Sequence, residues 1–318
     1  MHILFVDDAT IPVSKYGAVE RFIWWLGEEL NRRGHQISYL VGKGSYCPFA
    51  QVIEYNPLTP LSQQIPDYVD IVHFNFPINQ PFDKKPHLTT IHGNYPTFQP
   101  LGTNSVFVSK NHAARHNSES FVHIGINTDD YGVVNWSSRR ENLLFLAKAS
   151  LKVKNLISAI TISKMVGEQL TVAGGWGESN DNVNYKGMIG GIEKNQVINS
   201  SKALLFPVIW HEPFGIAMIE ALYFGCPVFG TPYGSLPELI IPEVGFLSNN
   251  ASELIEALHH IDDYNRKKCH EYVCDNFNHF KMTDDYLKLY EKVLNGHSLN
   301  NINPANYPSD SFELPLYG

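Results

Sequence analysis

Two glutamates, Glu212 and Glu220, stand eight positions apart in the segment His211-Glu212-Pro213-Phe214-Gly215-Ile216-Ala217-Met218-Ile219-Glu220-Ala221. A buried strand is predicted before it, over 203–207, and a helix over 216–224. The start of a helix leaves backbone N–H groups without intrahelical partners, and its dipole adds partial positive charge. The amides of Phe214, Gly215 and Ile216 therefore suit an anion such as a diphosphate. Gly215 lacks a side chain, so a ligand can reach the backbone. Carboxylates accept hydrogen bonds from sugar diols. With Glu220 about two turns into the helix, eight helical residues span ~12 Å. The two carboxylates would then bracket an elongated ligand. A nucleotide-sugar has that form, with diols on its ribose and its transferred sugar and a diphosphate between them.

A scaffold of alternating strands and helices must hold these residues. Residues 3–6 read as a buried strand and 7–14 as a loop. Val19, Phe22, Ile23, Leu26 and Leu30 follow at helical spacing, closed by Arg32-Arg33-Gly34. Further strands are expected over 36–41, 70–74, 88–91 and 105–109, with a last strand of this half over 122–124. A polar linker is expected over 127–138. The second half repeats the alternation, with strands over 142–147, 169–173, 203–207 and 227–229. Its helices are expected over 156–165, 216–224 and 251–259, with a turn at 174–177. A final helix is predicted over 284–294, before a tail rich in Asn, Pro and Ser, disordered or draped on the surface. The fold class is α/β: two doubly wound parallel sheets whose strand ends face across a ligand cleft. Trp24 lies off the apolar stripe of the first helix. It either packs under a neighbouring loop or faces an acceptor or lipid surface.

The 318 residues suffice for two domains, and 43% are hydrophobic, as in a globular protein with ample core. A formal net charge of -8 argues against a nucleic-acid partner. Cys47, Cys226, Cys269 and Cys274 form no CxxC pair. They read as reduced thiols, and a cytoplasmic location is expected. The start of the chain does not read as a signal peptide, and no apolar run reaches membrane-spanning length. The histidines are scattered without an HExxH, and the acidic doublets lack D-x-D spacing, so no metal is expected.

The segment from Glu212 to Glu220 resembles the E-x7-E motif of family 4 glycosyltransferases, retaining enzymes of GT-B fold. Val69-Asp70-Ile71-Val72-His73 is similar to that family's DVVH strand, and Thr90-Ile91-His92-Gly93 to its T-x-H-G loop. Ile124-Gly125-Ile126-Asn127 resembles its hinge strand, and residues 280–290 its closing helix. The resemblance implies an N-terminal Rossmann-like acceptor domain over 1–130, joined by a returning helix over 280–295. A donor domain would span 131–279, with a tail over 296–318. Glu212 and the amides of Phe214, Gly215 and Ile216 would contact the donor sugar and phosphate. Glu220 would hold the ribose, His92 would lie near the sugar and β-phosphate, and Gly17 would belong to the loop under the diphosphate. Lys148 and Lys154 stand at the six-residue spacing of the family's Arg and Lys pyrophosphate clamps. Three pairs depart from the pattern: Ala147-Lys148 for Gly-Arg, Tyr16-Gly17 for Gly-Gly, and Lys154-Asn155 for Lys-Gly.

The implied reaction moves a hexosyl group from a UDP-sugar to an acceptor hydroxyl with retention, through Glu212, His92, Lys148 and Lys154 and without a cofactor. The acceptor stays open among a glycan, a lipid-linked molecule and a small molecule, as does peripheral contact with the inner face of a membrane. Two alternatives also stay open: a nucleotide-sugar-binding protein without transferase activity, and a UDP-sugar epimerase or hydrolase relative.

Overall fold

The computed structural model describes residues 1–13, 15, 17–78, 82–95 and 101–305. The chain divides at Ile126/Asn127 and again at Phe277/Asn278 into two units, the segment from Asn278 returning to the first. In chain order the first unit contains β1 (His2–Val6), α1 (Ala18–Arg32), β2 (Gln36–Val41), β3 (Gln51–Glu54) and α2 (Leu61–Gln64). β4 (Ile71–Phe74), β5 (His87–Ile91), β6 (Ser105–Phe107) and α3 (Lys110–Arg115) follow. The strands pair in parallel in the order β3-β2-β1-β4-β5-β6. Inner strands β1 and β4 are buried on both faces, which is why their sequences are apolar runs, broken in β4 only by the hydrogen-bonded His73. The edge strand β3 has exposed ends and no clear alternation, so its sequence did not reveal it.

Phe22, Ile23, Leu26 and Leu30 of α1 are buried, as their spacing predicts. Trp24 meets Phe49 edge-on with ring centroids 5.2 Å apart. This is the packing alternative of its two readings. The strand expected over 122–124 does not form. Phe107 and Phe121 make an isolated bridge, and Val122 N–H donates to Phe107 O at 2.9 Å, after which the pairing stops.

The second unit holds β7 (Leu143–Leu146), α4 (Leu156–Val166), β8 (Leu170–Ala173), β9 (Val183–Gly187), α5 (Gly191–Asn199) and β10 (Ala203–Phe206). α6 (Ile216–Tyr223), β11 (Val228–Gly230), α7 (Leu236–Leu239), β12 (Gly245–Leu247), α8 (Ala251–His259) and α9 (Arg266–Asn276) complete it. Its sheet order is β12-β11-β10-β7-β8-β9. Counted within each unit, both sheets follow the doubly wound 3-2-1-4-5-6 order. Each has its topological switch between the first and fourth strands, β1/β4 and β7/β10, where ligands bind at the carboxyl ends. The core around Leu143, Phe145, Leu170, Val172 and Leu205 lies under α4 and α8. α9 escaped prediction because Cys269 and Val273 are its only buried residues, too few to mark a stripe.

α10 (His279–Leu294) begins earlier than the expected 284, because the Asn278 side chain caps it by accepting from Lys281 N–H at 2.9 Å. It belongs to the first unit through a buried polar network. Tyr290 Oη lies 2.7 Å from His73 Nδ1, and Thr90 Oγ1 lies 2.7 Å from His73 Nε2 and 2.9 Å from Tyr286 Oη. Residues 296–305 are pinned to the same unit. Asn300 Nδ2 donates to Thr103 O and Ser105 O, and Ala305 N–H to His116 O. The rest of the predicted tail lies outside the described residues. No helix among them is long and apolar enough to cross a membrane.

Candidate active site

At the switch point of the second sheet, β10 runs into a loop that delivers Glu212, 6% exposed. Lys154 Nζ lies 2.5 Å from Glu212 Oε2, and Trp210 Nε1–H donates to the same oxygen at 2.7 Å. Lys154 comes from the tight turn after β7. Its ammonium sits 4.8 Å from the Trp210 ring centroid and 5.2 Å from that of Phe206, two further stabilising contacts. Asn155, which replaces the family's glycine, has φ 57° and caps α4 by accepting from Ser158 N–H. Asn is among the few side-chain-bearing residues that enter this left-handed region readily, so the departure preserves the backbone.

Gly215 caps α6 with φ 90°, and a Cβ there would stand 2.6 Å from Met218 Cε. No side chain caps this helix start. The Phe214 ring is buried, 6.2 Å from that of Phe277, and its carbonyl accepts from Ser235 Oγ at 2.7 Å. The Ile216 side chain is buried as well. Because α6 starts at Ile216, Glu220 sits little more than one turn inside it, not two. Residues 212–215 are not helical, so the all-helix span of ~12 Å does not describe the separation of the glutamates.

Glu220 is 2% exposed. Its Oε1 accepts from Tyr131 Oη at 2.8 Å and pairs with Lys194 Nζ of α5. The Lys194 ammonium lies 5.4 Å from the Tyr131 ring centroid. The two glutamates thus have the same construction: one carboxylate oxygen shared by a buried lysine and an aromatic donor. Burying these charges is tolerable only because they are paired. Lys194 and Tyr131 escaped the sequence analysis, as did Trp210. α5 shows little periodicity, and Tyr131 stands in a segment that reads as polar linker. Lys148 lies exposed in the turn after β7.

In the first unit, Asp7, Asn75 and His92 leave the carboxyl ends of β1, β4 and β5. Burial, reinforced by Asp8 and Glu20, pushes the Asp7 carboxyl up to about 7, against the Ala9 N–H that it accepts at 2.8 Å. His92 Nε2 meets Asn75 Oδ1 at 3.0 Å, and burial pushes its imidazole down to about 3. Gly17 caps α1 with φ 155°, and a Cβ there would stand 2.7 Å from Glu20 Oε2. Its neighbour Tyr16 lies outside the described residues. Among them no group of three or more His, Cys, Asp or Glu side chains is gathered to hold a metal.

Residues 148–279 match the family described as Glycosyl transferases group 1. An uncharacterized 41.2 kDa protein in the cps region of Klebsiella pneumoniae is 32% identical over 118 residues, 35% of this chain. That match spans 33% of the relative's length. Among solved structures, AviGT4, a glycosyltransferase involved in avilamycin A biosynthesis, has a TM-score of 0.75 at 19% identity, over 93% of this chain and 98% of its own. A glycosyltransferase from Rickettsia africae has a TM-score of 0.72 at 18% identity, covering 92% and 98%. Anabaena HepE, in complex with UDP-glucose, has a TM-score of 0.66 at 12% identity, covering 92% and 100%. The chain has a GT-B fold, and most of its second unit matches the Glycosyl transferases group 1 family.

Proposed function

We propose that the chain is a retaining glycosyltransferase of family 4 that moves a hexosyl group from a UDP-sugar to an acceptor hydroxyl. The observation that carries this reading is the pair of lysine-held carboxylates flanking the helix start at Gly215. In this reading each serves one diol-bearing end of a nucleotide-sugar, with the helix amides serving the diphosphate. The family match over the same residues and the UDP-glucose complex of HepE support it. In this reading the unit 127–277 takes the donor and the first unit, with α10, the acceptor. Charge develops on the departing UDP, where the α6 amides, Lys148 and Lys154 stabilise it. The acceptor hydroxyl attacks on the same face and passes its proton to the leaving phosphate oxygen. A cytoplasmic location, with a glycan, lipid-linked or small-molecule acceptor, completes the proposal.

The two glutamates test it. Losing one charged hydrogen bond costs roughly 1.5–3 kcal/mol. Glu220→Gln is therefore expected to weaken UDP binding about 10- to 100-fold. Glu212→Gln is expected to leave UDP affinity nearly unchanged and to lose transfer from intact donors, because its contact belongs to the departing sugar. Calorimetry with UDP and a transfer assay over a panel of UDP-sugars measure both, with circular dichroism confirming the folds. Equal loss of UDP affinity in the two variants, or none in either, would refute the bracketing arrangement. UDP binding without turnover of any donor would favour a binding protein instead.

Positive charge at the diphosphate comes from lysines and helix amides in this proposal. Dialysis against EDTA is accordingly expected to leave the transfer rate nearly intact. A loss restored only by Mg²⁺ or Mn²⁺ would contradict that.

A further inference from the structure

Asn75 and His92 follow the neighbouring strands β4 and β5 at the switch point of the first sheet. Asn75 is 1% exposed. Its side-chain nitrogen donates to Val6 O at 3.4 Å and to His73 O at 3.3 Å. Both partners are carbonyls, which only accept. The amide nitrogen must face them, and this turns Oδ1 toward His92 Nε2, 3.0 Å away. Oδ1 also only accepts, so the imidazole proton belongs on Nε2. The ring is neutral near pH 7 because burial pushes it down to about 3. Its single proton is used in the Asn75 contact, and Nδ1 keeps its lone pair. The Phe22 ring stands edge-on to the imidazole, centroids 4.7 Å apart, and holds its plane.

We infer that Asn75 is a positioning residue that locks His92 as the Nε2–H tautomer and presents Nδ1 as an acceptor for a ligand hydroxyl. The inference rests on the reading that His92 borders the reacting groups. A lone pair repels phosphate oxygens, so His92 serves a hydroxyl of the transferred sugar or of the acceptor, and not the diphosphate. The polarity is set by Asn75, whose own orientation is dictated by two backbone carbonyls of the sheet.

Long-range ¹H–¹⁵N correlation spectra of the full chain with labelled histidine read the tautomer directly, without any substrate. Wild type is expected to show His92 with a protonated Nε2 and a bare Nδ1. Asn75→Ala is expected to give a tautomer mixture. An Nδ1–H ring in wild type, or an unmixed Nε2–H ring in the variant, would overturn the inference. Wild type alone decides if the variant fails to fold. His92→Ala supplies the second arm, with UDP and UDP-glucose as probes. Free UDP should bind within about twofold of wild type. Weaker UDP-glucose binding supports a hydroxyl on the donor sugar, and slower transfer at unchanged UDP-glucose affinity supports one on the acceptor. A tenfold loss of UDP affinity would assign His92 to the diphosphate and overturn the inference. Failure of the transferase reading would appear as absent turnover with the tautomer intact, which keeps the two failures distinct.

Discussion

Replacing Lys194 by methionine is expected to destabilise the second unit by about 3–5 kcal/mol, the usual cost of stranding one member of a buried ion pair. Lys194 and Glu220 have side chains only 9% and 3% exposed. Water cannot take over the contact that Lys194 makes. Methionine fills most of the lysine volume, so the loss reports the uncompensated Glu220 charge more than a cavity. The double variant Lys194→Met/Glu220→Gln should recover much of that loss, since the stranded charge is then gone. Lys288, whose pair with Asp285 is exposed at 73% and 49%, serves as the contrast. Its methionine variant should leave stability nearly unchanged. Urea unfolding of the full chain, followed by circular dichroism, measures all three. A loss under 1 kcal/mol for Lys194→Met would show that the Glu220 site is solvated, and the enclosed carboxylate argued above would fail with it.

Acidification below pH 6.5 is expected to weaken the first unit steeply. His73, His92 and His112 are neutral in the fold because burial lowers all three, His92 to about 3. In the unfolded chain each titrates near 6.5. Below that pH the unfolded state therefore binds more protons at these sites, so stability falls with pH until the folded values are reached. Asp7 acts in the opposite sense. Its folded pKa of about 7 lies above the unfolded 3.8, so between those values unfolding releases a proton. The three rings outnumber Asp7, and His2, His35, His87 and His116, which burial also lowers, add to the protons taken up on unfolding, so stability falls as the pH drops from 6.5 toward 4. Thermal unfolding across this range checks the slope. His112→Leu should flatten it. A melting temperature independent of pH from 6.5 to 4.5 would mean that these rings charge without unfolding.

Much of the scaffold was legible because it is made of inner strands and amphipathic helices. Runs such as 3–6 and 203–206 are apolar because both faces of a central parallel strand are covered. The stripe of α1 was legible because one face of that helix is solvated. The elements that sequence did not disclose, β3, α2, β9, α5, α7, β12 and α9, lie at sheet edges or bury few residues. Their local pattern is set weakly by burial and strongly by what happens to adjoin them.

The sequence by itself determined that two α/β units lie in series. It also placed Glu212 and Glu220 around a glycine-capped helix start, because such local chemistry is written in neighbouring residues. Tertiary structure alone decided what those carboxylates touch. Lys154 reaches Glu212 across 58 positions, and Lys194 reaches Glu220 across 26. The polarity of His92 was likewise beyond the sequence, since it depends on Asn75, 17 positions away, and on carbonyls of β1 and β4. Parallel sheets bring strand ends from distant parts of the chain to one edge. The partners of every buried charge at that edge follow from the strand order, not from spacing along the chain.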